Sequence, residues 1–195
     1  IRCLTNCQMT GAKNFYYNQC DPQAEFNHRS SQWDLNYFKY CFLKATGLEF
    51  QEDLLENEFE RLAYILLNTQ DMCAFMYRDF QSRNVMICKD SNGEDVPYFI
   101  DFQGGRRGPL YYDVASFLWQ AKANFHPNLR EELLEEYLDE LQKYISVDRN
   151  VFYDTLKHFV LFRTMQVFGA YGFRGYFEKK PHFLQSIPFA IDNLR

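Results

Sequence analysis

Residues 77–113 read YRDFQSRNVMICKDSNGEDVPYFIDFQGGRRGPLYYD and contain the most informative pattern in the chain. Two short apolar runs within it, VMIC (85–88) and VPYFI (96–100), have the length of β-strands, and KDSNGED separates them. The Asn92-Gly93 step in this connection is a strong signal for a hairpin. The sequence therefore predicts a small β-hairpin, which is too small to form a fold by itself.

Helices are predicted on both sides of residues 77–113. Upstream, Ser30 or Ser31 offers an N-cap for a helix that Gly47 ends, since glycine accepts the left-handed conformation just after a helix. Residues 1–29 show no sustained period and are predicted to be irregular. The remaining predictions are a helix over 51–68, a strand over 73–77, helices over 114–123, 128–144 and 151–168, and a last helix after Pro181 or Pro188. The predicted fold class is mainly α with a small β-hairpin, an α+β arrangement.

The composition indicates a chain that can fold and that does not bind nucleic acid. Of the 195 residues, 47% are hydrophobic and 18% are aromatic, which is enough for a packed core. The net charge of -5 argues against a nucleic-acid partner, because phosphates are bound by clustered Lys and Arg. No stretch approaches the roughly 20 apolar residues of a membrane helix, and the first residues lack the apolar run of a secretory signal. We therefore expect neither nucleic acid nor a membrane as partner.

The six cysteines show no metal-ligand spacing. An even number would allow a disulfide framework, but no secretion signal supports one. We expect reduced thiols and a cytoplasmic location.

Three polar side chains flank the predicted hairpin. Asp79 and Asn84 lie on the loop that enters its first strand, and Asp101 leaves its second strand. Because a hairpin brings its two ends together, Asn84 and Asp101 are expected to converge. Two converging oxygen ligands suit Mg²⁺, which takes one or two protein oxygens and completes its shell with phosphate and water. Asp79 is then placed to accept a proton from a hydroxyl that attacks that phosphate.

These residues carry a resemblance to known kinases. The D-x-x-x-x-N spacing of Asp79 and Asn84, followed by Asp101-Phe102 after a hairpin, resembles the catalytic loop and metal-binding Asp of the protein-kinase-like fold. The segment GPLYYDVAS (108–116) resembles the one that follows the metal Asp in the aminoglycoside phosphotransferase and choline kinase families. Within that superfamily, RDFQSRNVM is similar to the bacterial anomeric amino-sugar kinases, which phosphorylate N-acetylmuramate and N-acetylglucosamine.

The resemblance implies a role for each matching position. Asp79 would be the catalytic base, and Asn84 and Asp101 would hold Mg²⁺ and, with it, ATP. Asp113 would be a structural residue that ties the following helix to the catalytic loop. Arg83, which resembles the arginine just before the Asn in tyrosine-kinase loops, would offset charge on the transferred phosphoryl group. The implied cofactors are ATP and Mg²⁺.

The function that the resemblance implies is phosphotransfer from ATP to a hydroxyl of a small molecule, with a sugar or amino sugar as the leading acceptor. An aminoglycoside or a choline-like acceptor is an alternative. A non-catalytic kinase-like module, used for partner binding or regulation, is another.

The resemblance is incomplete in two places. Tyr77 stands where many relatives have His, at a position that usually serves packing. No Gly-rich phosphate loop and no strand Lys can be placed before it, because residues 1–76 read as irregular and then helical. The chain also begins with Ile1. We therefore expect residues 1–195 to form the C-terminal lobe of the kinase-like fold without its N-terminal, ATP-clamping lobe, and we expect this chain alone to be inactive.

Two further features allow two interpretations each. Arg106 and Arg107, in GGRRGP, either bind an anionic substrate or form a solvated basic pair. Gly169, Gly172 and Gly175 recur among aromatic residues. The segment GAYGFRGYF (169–177) either lines a sugar-binding cleft by stacking, or its glycines let the backbone pack closely against a neighbouring helix, which is their commoner use.

Overall fold

The computed structural model describes residues 1–21, 23–69 and 72–194. Its helices are α1 (Arg2–Gly11), α2 (His28–Phe38), α3 (Lys44–Thr46), α4 (Glu52–Leu67), α5 (Leu110–Leu118), α6 (Pro127–Leu141), α7 (Arg149–Gly172), α8 (Pro181–Leu184) and α9 (Ile187–Asp192). The π-helical segment Lys39–Leu43 joins α2 to α3, and a second one, Phe173–Phe177, extends α7. The strands are β1 (Cys73–Met76), β2 (Val85–Lys89), β3 (Asp95–Phe99) and β4 (Arg106–Pro109). They form two antiparallel pairs, β1 with β4 and β2 with β3, so the predicted α+β class is confirmed.

The predicted hairpin is present as β2 and β3, which pair over their whole length. In its turn the side chain of Asp90 accepts hydrogen bonds from the backbone N–H groups of Asn92 and Glu94, at 2.8 and 2.9 Å. Gly93 takes a φ of 82°, whereas Asn92 does not have the positive φ of a two-residue Asn-Gly turn. The turn is longer and is closed by the hydrogen bond from the N–H of Asp90 to the carbonyl of Glu94, at 2.9 Å. Local sequence is therefore enough to specify this turn.

Strand β4 was not predicted. It pairs with β1 so that Cys73 lies opposite Pro109 and Met76 lies opposite Arg106. Its sequence, RRGP, has no apolar alternation, so no local pattern indicates a strand. The strand forms because β1 offers it an antiparallel partner from a distant part of the chain.

The prediction of an irregular segment over 1–29 is wrong at Arg2–Gly11, which forms α1. The buried positions of α1 are Leu4, Thr5 and Gln8, and two of these three are polar. No apolar period therefore marks the helix in the sequence. Position 22 of the same segment lies outside the described residues.

The start of α2 also differs from its prediction. Asn27, rather than Ser30 or Ser31, is the N-cap, and its side chain accepts a hydrogen bond from the backbone N–H of Ser30 at 3.0 Å. The hydroxyl of Ser31 instead donates to the carbonyl of His28 within the first turn. Gly47 ends the helical run with a φ of 72°, as predicted.

The other predicted helices are present with shifted limits. Helix α5 occupies Leu110–Leu118, not 114–123, so Asp113 lies in its first turn. A carboxylate is favourable there, because the free N–H groups of a helix start carry partial positive charge. Helices α4, α6 and α7 correspond to the predictions over 51–68, 128–144 and 151–168.

Helix α7 packs against α2 and α5 and is the central helix of the body. A Cβ added at Gly169 would lie 2.9 Å from the backbone of α2, and one at Gly172 would lie 2.0 Å from a carbonyl oxygen of the π-helical segment after α2. A Cβ at Gly175 would lie 2.2 Å from a side chain of α8. These glycines permit close packing, while Ala170, Tyr171 and Arg174 of the same segment line a cavity.

Within the described ranges, no helix combines the length and the apolar character that crossing a membrane requires. No disulfide joins any two of the six cysteines, all of which the structure describes. Before β1, the described part of the chain contains helices and turns but no β-strand.

Candidate active site

Asp113 ties the first turn of α5 to the loop that follows β1. It is fully buried, and its carboxylate accepts hydrogen bonds from the backbone N–H groups of Tyr77 at 2.7 Å and Arg78 at 2.8 Å. Gln8, on α1, donates a third bond from its side chain at 3.2 Å. Burial raises the pKa of Asp113 to about 6, and the three donors oppose that shift. The predicted tie between this helix and the loop that carries Asp79 is present.

Tyr77 packs beneath the hairpin. Its ring is buried and makes edge contacts with the rings of Phe80 and Phe99, at centroid distances of 5.6 and 6.5 Å. Its hydroxyl donates to the carbonyl of Ile100, the residue before Asp101. Burial raises the pKa of Tyr77 to about 12, which keeps this donor protonated. Tyr77 is therefore a packing residue that also holds the end of β3.

Asn84 and Asp101 converge as predicted. The side-chain amide of Asn84 donates to Oδ2 of Asp101 at 3.3 Å and to the backbone carbonyl of Asp79 at 2.8 Å. The other carboxylate oxygen of Asp101 accepts a hydrogen bond from Gln103 at 2.7 Å. Asn84 is buried, whereas Asp101 is exposed, so the pair lies at the surface end of the hairpin.

Two backbone positions beside this pair have left-handed conformations. Arg78 has a φ of 77° and Asp101 has a φ of 69°. For residues with a side chain this conformation costs about 1–2 kcal/mol. The hydrogen bonds of Asp113 and Asn84 hold the flanking backbone in place and offset that cost. Such strain is typical of functional sites.

The donor set of Asn84 and Asp101 fits Mg²⁺. The nitrogen of the Asn84 side chain makes both of its hydrogen bonds, and no described residue donates to its side-chain oxygen. That neutral amide oxygen and the anionic Asp101 carboxylate are both oxygen ligands, the kind that Mg²⁺ prefers. Across the described ranges, no three His, Cys, Asp or Glu side chains gather into a metal-binding group, so the residues do not suit a structural zinc site.

Asp79 lies beside this pair and lines a cavity of about 370 Å³. Asp79 is half-buried. Arg83 lines the same cavity. The remaining walls come from α5 and the segment after it, from α7 with its π-helical extension, and from the C-terminal helices. Asp79 and Arg83 are thus brought together, with Asn84 and Asp101 outside the cavity lining.

Hydrogen bonds join the walls of this cavity. The backbone N–H of Ser82 donates to the side chain of Gln120 at 3.0 Å, and Gln120 donates back to the Ser82 hydroxyl at 3.1 Å. On another side, Asn193 donates to the carbonyl of Trp119 at 2.8 Å and accepts from Arg130 at 3.1 Å. The loop that carries Asp79 is therefore fixed to the segment after α5.

A buried charge cluster behind the site was missed by the sequence analysis. Asp34, on α2, is buried, and its carboxylate lies 3.7 Å from the guanidinium of Arg78. Burial raises the pKa of Asp34, while Arg78, Arg163 and Arg106 act in the opposite direction. Arg163 is a buried cation in the mostly apolar helix α7, and that contrast is the signal in the sequence that could have identified it.

The two arginines of GGRRGP differ from each other. Arg106 is buried and donates from Nε to the carbonyl of Gly104 at 3.1 Å, so the interpretation of a solvated pair is wrong for it. Arg107 is exposed, and its backbone pairs with Ala24 and Phe26. Neither arginine lines the cavity that contains Asp79.

Comparison with known proteins gives two matches to this sequence. The sequence model of the phosphotransferase enzyme family matches residues 18–146, a range that includes the whole hairpin and the residues around it. The probable choline kinase 3 of Arabidopsis thaliana is 25% identical over 126 aligned residues, with coverage of 49% of this chain and 35% of that protein. The chain therefore spans about a third of the length of this curated relative.

Proposed function

Because the chain belongs to the phosphotransferase enzyme family, we propose that it carries the catalytic and acceptor-binding part of an ATP-dependent kinase. The proposed reaction moves the γ-phosphoryl group of ATP to a hydroxyl of a small molecule, with a sugar or amino sugar as the leading class. The position of Asp79 supports this proposal most strongly. Asp79 lines a cavity of about 370 Å³, a size suited to a small ligand. Its backbone carbonyl accepts a hydrogen bond from the side chain of Asn84.

The site residues have separate proposed roles. Asp79 accepts the proton of the acceptor hydroxyl and orients its oxygen toward the phosphoryl group. Asn84 and Asp101 would hold Mg²⁺, which neutralises charge on the phosphates of ATP when bound. Arg83 faces the same cavity as Asp79 and offsets negative charge on the transferred group. Catalysis then rests on positioning and charge neutralisation.

The fold assignment that goes with this role is the C-terminal lobe of a protein-kinase-like fold. We propose that the lobe that covers ATP is supplied by a part of the protein outside this chain, and that this chain alone does not turn over ATP. The lack of a β-strand before β1 in the described residues supports this. A cytoplasmic location is proposed with it, since the site needs ATP and the six cysteines form no disulfide.

The test is acceptor-dependent phosphoryl transfer by the full-length protein. ADP and phosphorylated product are measured with ATP and Mg²⁺ in the presence of sugars, amino sugars, an aminoglycoside or choline. We expect ADP formation to require one of these acceptors and to stop when a chelator removes the metal. Nucleotide binding without transfer to any acceptor would contradict the proposal and favour a non-catalytic module.

A further inference from the structure

The charged side chains around the Asp79 cavity are mostly positive. Among the described residues that line it, the cations are Arg83, Lys122, Arg163 and Arg174, whereas Asp79 is the single carboxylate. We propose that this cavity binds a hydroxyl compound that carries a negatively charged group, either a carboxylate or a phosphate ester. The proposal rests on the proposed phosphotransfer role and specifies the acceptor class.

Most of these cations lack a strong ion pair of their own. Arg83 and Lys122 are exposed, and no described residue forms a salt bridge with either. Arg174 lies 3.4 Å from a carboxylate oxygen of Glu178, but that same oxygen lies closer to Lys180, at 2.7 Å. One carboxylate is thus shared between two cations, and positive charge remains available to a ligand.

Two of the cations are held on one wall by an aromatic ring. The ammonium of Lys122 lies 5.6 Å from the ring centroid of Phe183, and the guanidinium of Arg174 lies 5.5 Å from it. Cation–π attraction stabilises each position, because the ring face is electron-rich. Two like charges over one ring repel each other unless an anion joins them. An anionic group in the cavity would remove that repulsion.

The wall that α7 forms contains a buried cation, Arg163. Arg163 is buried and donates from Nε to the hydroxyl of Ser116 at 3.1 Å. Behind it, Asp34 is the acidic partner that Arg163 shares with Arg78 and Arg106. One of the terminal nitrogens of Arg106 is buried without a hydrogen-bond partner. The three guanidinium groups therefore face two carboxylates, Asp34 and Asp79. Because unpaired buried charge is unfavourable, an anion at Arg163 would compensate the positive charge that remains.

A cationic acceptor does not suit this cavity. Recognition of a quaternary ammonium or an aminoglycoside requires carboxylates or an aromatic cage around the positive group. Among the described lining residues the one carboxylate, Asp79, is already assigned to the reacting hydroxyl. Of the aromatic residues in the lining, Trp119 and Phe183 already face cations of the protein: Arg130 lies 4.9 Å from the Trp119 ring, and Lys122 and Arg174 lie over Phe183. A positive group elsewhere in the cavity would face the arginine and lysine side chains and be repelled.

The proposal is tested by calorimetric titration of the full-length protein with four probes of similar size. These are glucuronate, glucose 6-phosphate, glucose and glucosamine, and the two anions distinguish a carboxylate from a phosphate. We expect at least one anion to bind about tenfold more tightly than glucose, with a preference that shrinks as salt is added. Glucosamine is expected to bind most weakly.

Matched variants locate the effect. Lys122→Gln and Arg174→Gln are each expected to weaken the preferred anion by about threefold to tenfold and to leave glucose unchanged. Arg61→Gln is the control, because it removes the same charge from an exposed position on α4 outside the cavity. An equal loss of anion affinity in Arg61→Gln would mean that the anion is attracted by the overall charge of the protein, and it would overturn the proposal.

Two further outcomes would also overturn it. One is that neither anion binds more tightly than glucose, and the other is that glucosamine binds most tightly. These outcomes are separate from the phosphotransfer test. Transfer to a neutral or cationic acceptor would contradict the anionic acceptor class but support the phosphotransfer reaction. Anion binding without any transfer would contradict the phosphotransfer reaction but support the anion-binding site.

Discussion

The carboxylate of Asp113 and the side-chain amide of Asn84 hold the loop that contains Asp79 from its two sides. Asp113 accepts the backbone N–H groups of Tyr77 and Arg78, and Asn84 donates to the carbonyl of Asp79 itself. Both side chains are buried, so water does not compete for these bonds. The position of the proposed base is thus fixed by backbone hydrogen bonds, and its carboxylate is left to face the cavity.

The substitution Asp113→Asn tests the first of these contacts. An asparagine offers one acceptor oxygen where the carboxylate has two, and its NH2 group would face a backbone N–H. At least one buried donor then loses its partner, which costs about 1–3 kcal/mol of unfolding free energy. Urea denaturation measures the loss. The control is Asp95→Asn, an exposed position whose change should stay within about 0.5 kcal/mol. Equal stability of the two variants would contradict the role of Asp113.

The β2–β3 hairpin and helix α7 supply the two sides of the candidate site. The hairpin brings Asn84 and Asp101 within 3.3 Å, and α7 contributes Arg163 to the wall of the cavity. The two elements are positioned differently. The hairpin is fixed by its own turn. Helix α7 is instead placed by contact with α2 at Gly169 and with the π-helical segment after α2 at Gly172, and neither glycine leaves room for a Cβ. The geometry of the cavity wall therefore depends on helix packing.

Gly172→Ala tests this dependence. Alanine normally stabilises a helix by about 1 kcal/mol relative to glycine, but here its Cβ would lie 2.0 Å from a backbone carbonyl oxygen. We expect a net loss of about 1–3 kcal/mol, because the backbones of α7 and the π-helical segment must move apart.

Gly11→Ala is the matched control for this change. Gly11 has helical φ and ψ at the end of α1, and its added Cβ would meet only ordinary contacts at 3.8 Å. Chemical denaturation of both variants should therefore give changes of opposite sign in the free energy of unfolding. A stabilising Gly172→Ala would show that the close approach is not needed.

The structural features that the sequence predicts correctly depend on contacts between residues that are close together in the chain. The Asn92-Gly93 step indicates the turn, and the hairpin then places Asn84 and Asp101 together. Gly47 ends its helix through its own backbone conformation. Each of these features needs only a local preference, and local preferences can be derived from one sequence.

The parts that escaped prediction join segments that are far apart in the chain. Strand β4 forms only because β1 pairs with it, and α1 buries the polar side chain of Gln8, which bonds to Asp113. The charge cluster likewise joins Asp34 of α2 to Arg78, and Arg163 of α7 lies next to it. A single sequence contains no periodic signal for such contacts, so the cavity and its charge could be described only from the structure.

The proposed reaction requires Asp79 to act as a base between the proposed Mg²⁺ ligands, Asn84 and Asp101, and the acceptor cavity. The most direct measurement is steady-state phosphoryl transfer by the full-length protein carrying Asp79→Asn, compared with Asp95→Asn near the turn of the same hairpin. A general base contributes about 10²–10⁴-fold to rate, so we predict a loss of that size in kcat for Asp79→Asn. Nucleotide affinity should stay within about threefold of the wild-type value, and Asp95→Asn should keep its turnover. Turnover of Asp79→Asn close to that of the wild-type protein would contradict the role of Asp79 as the base.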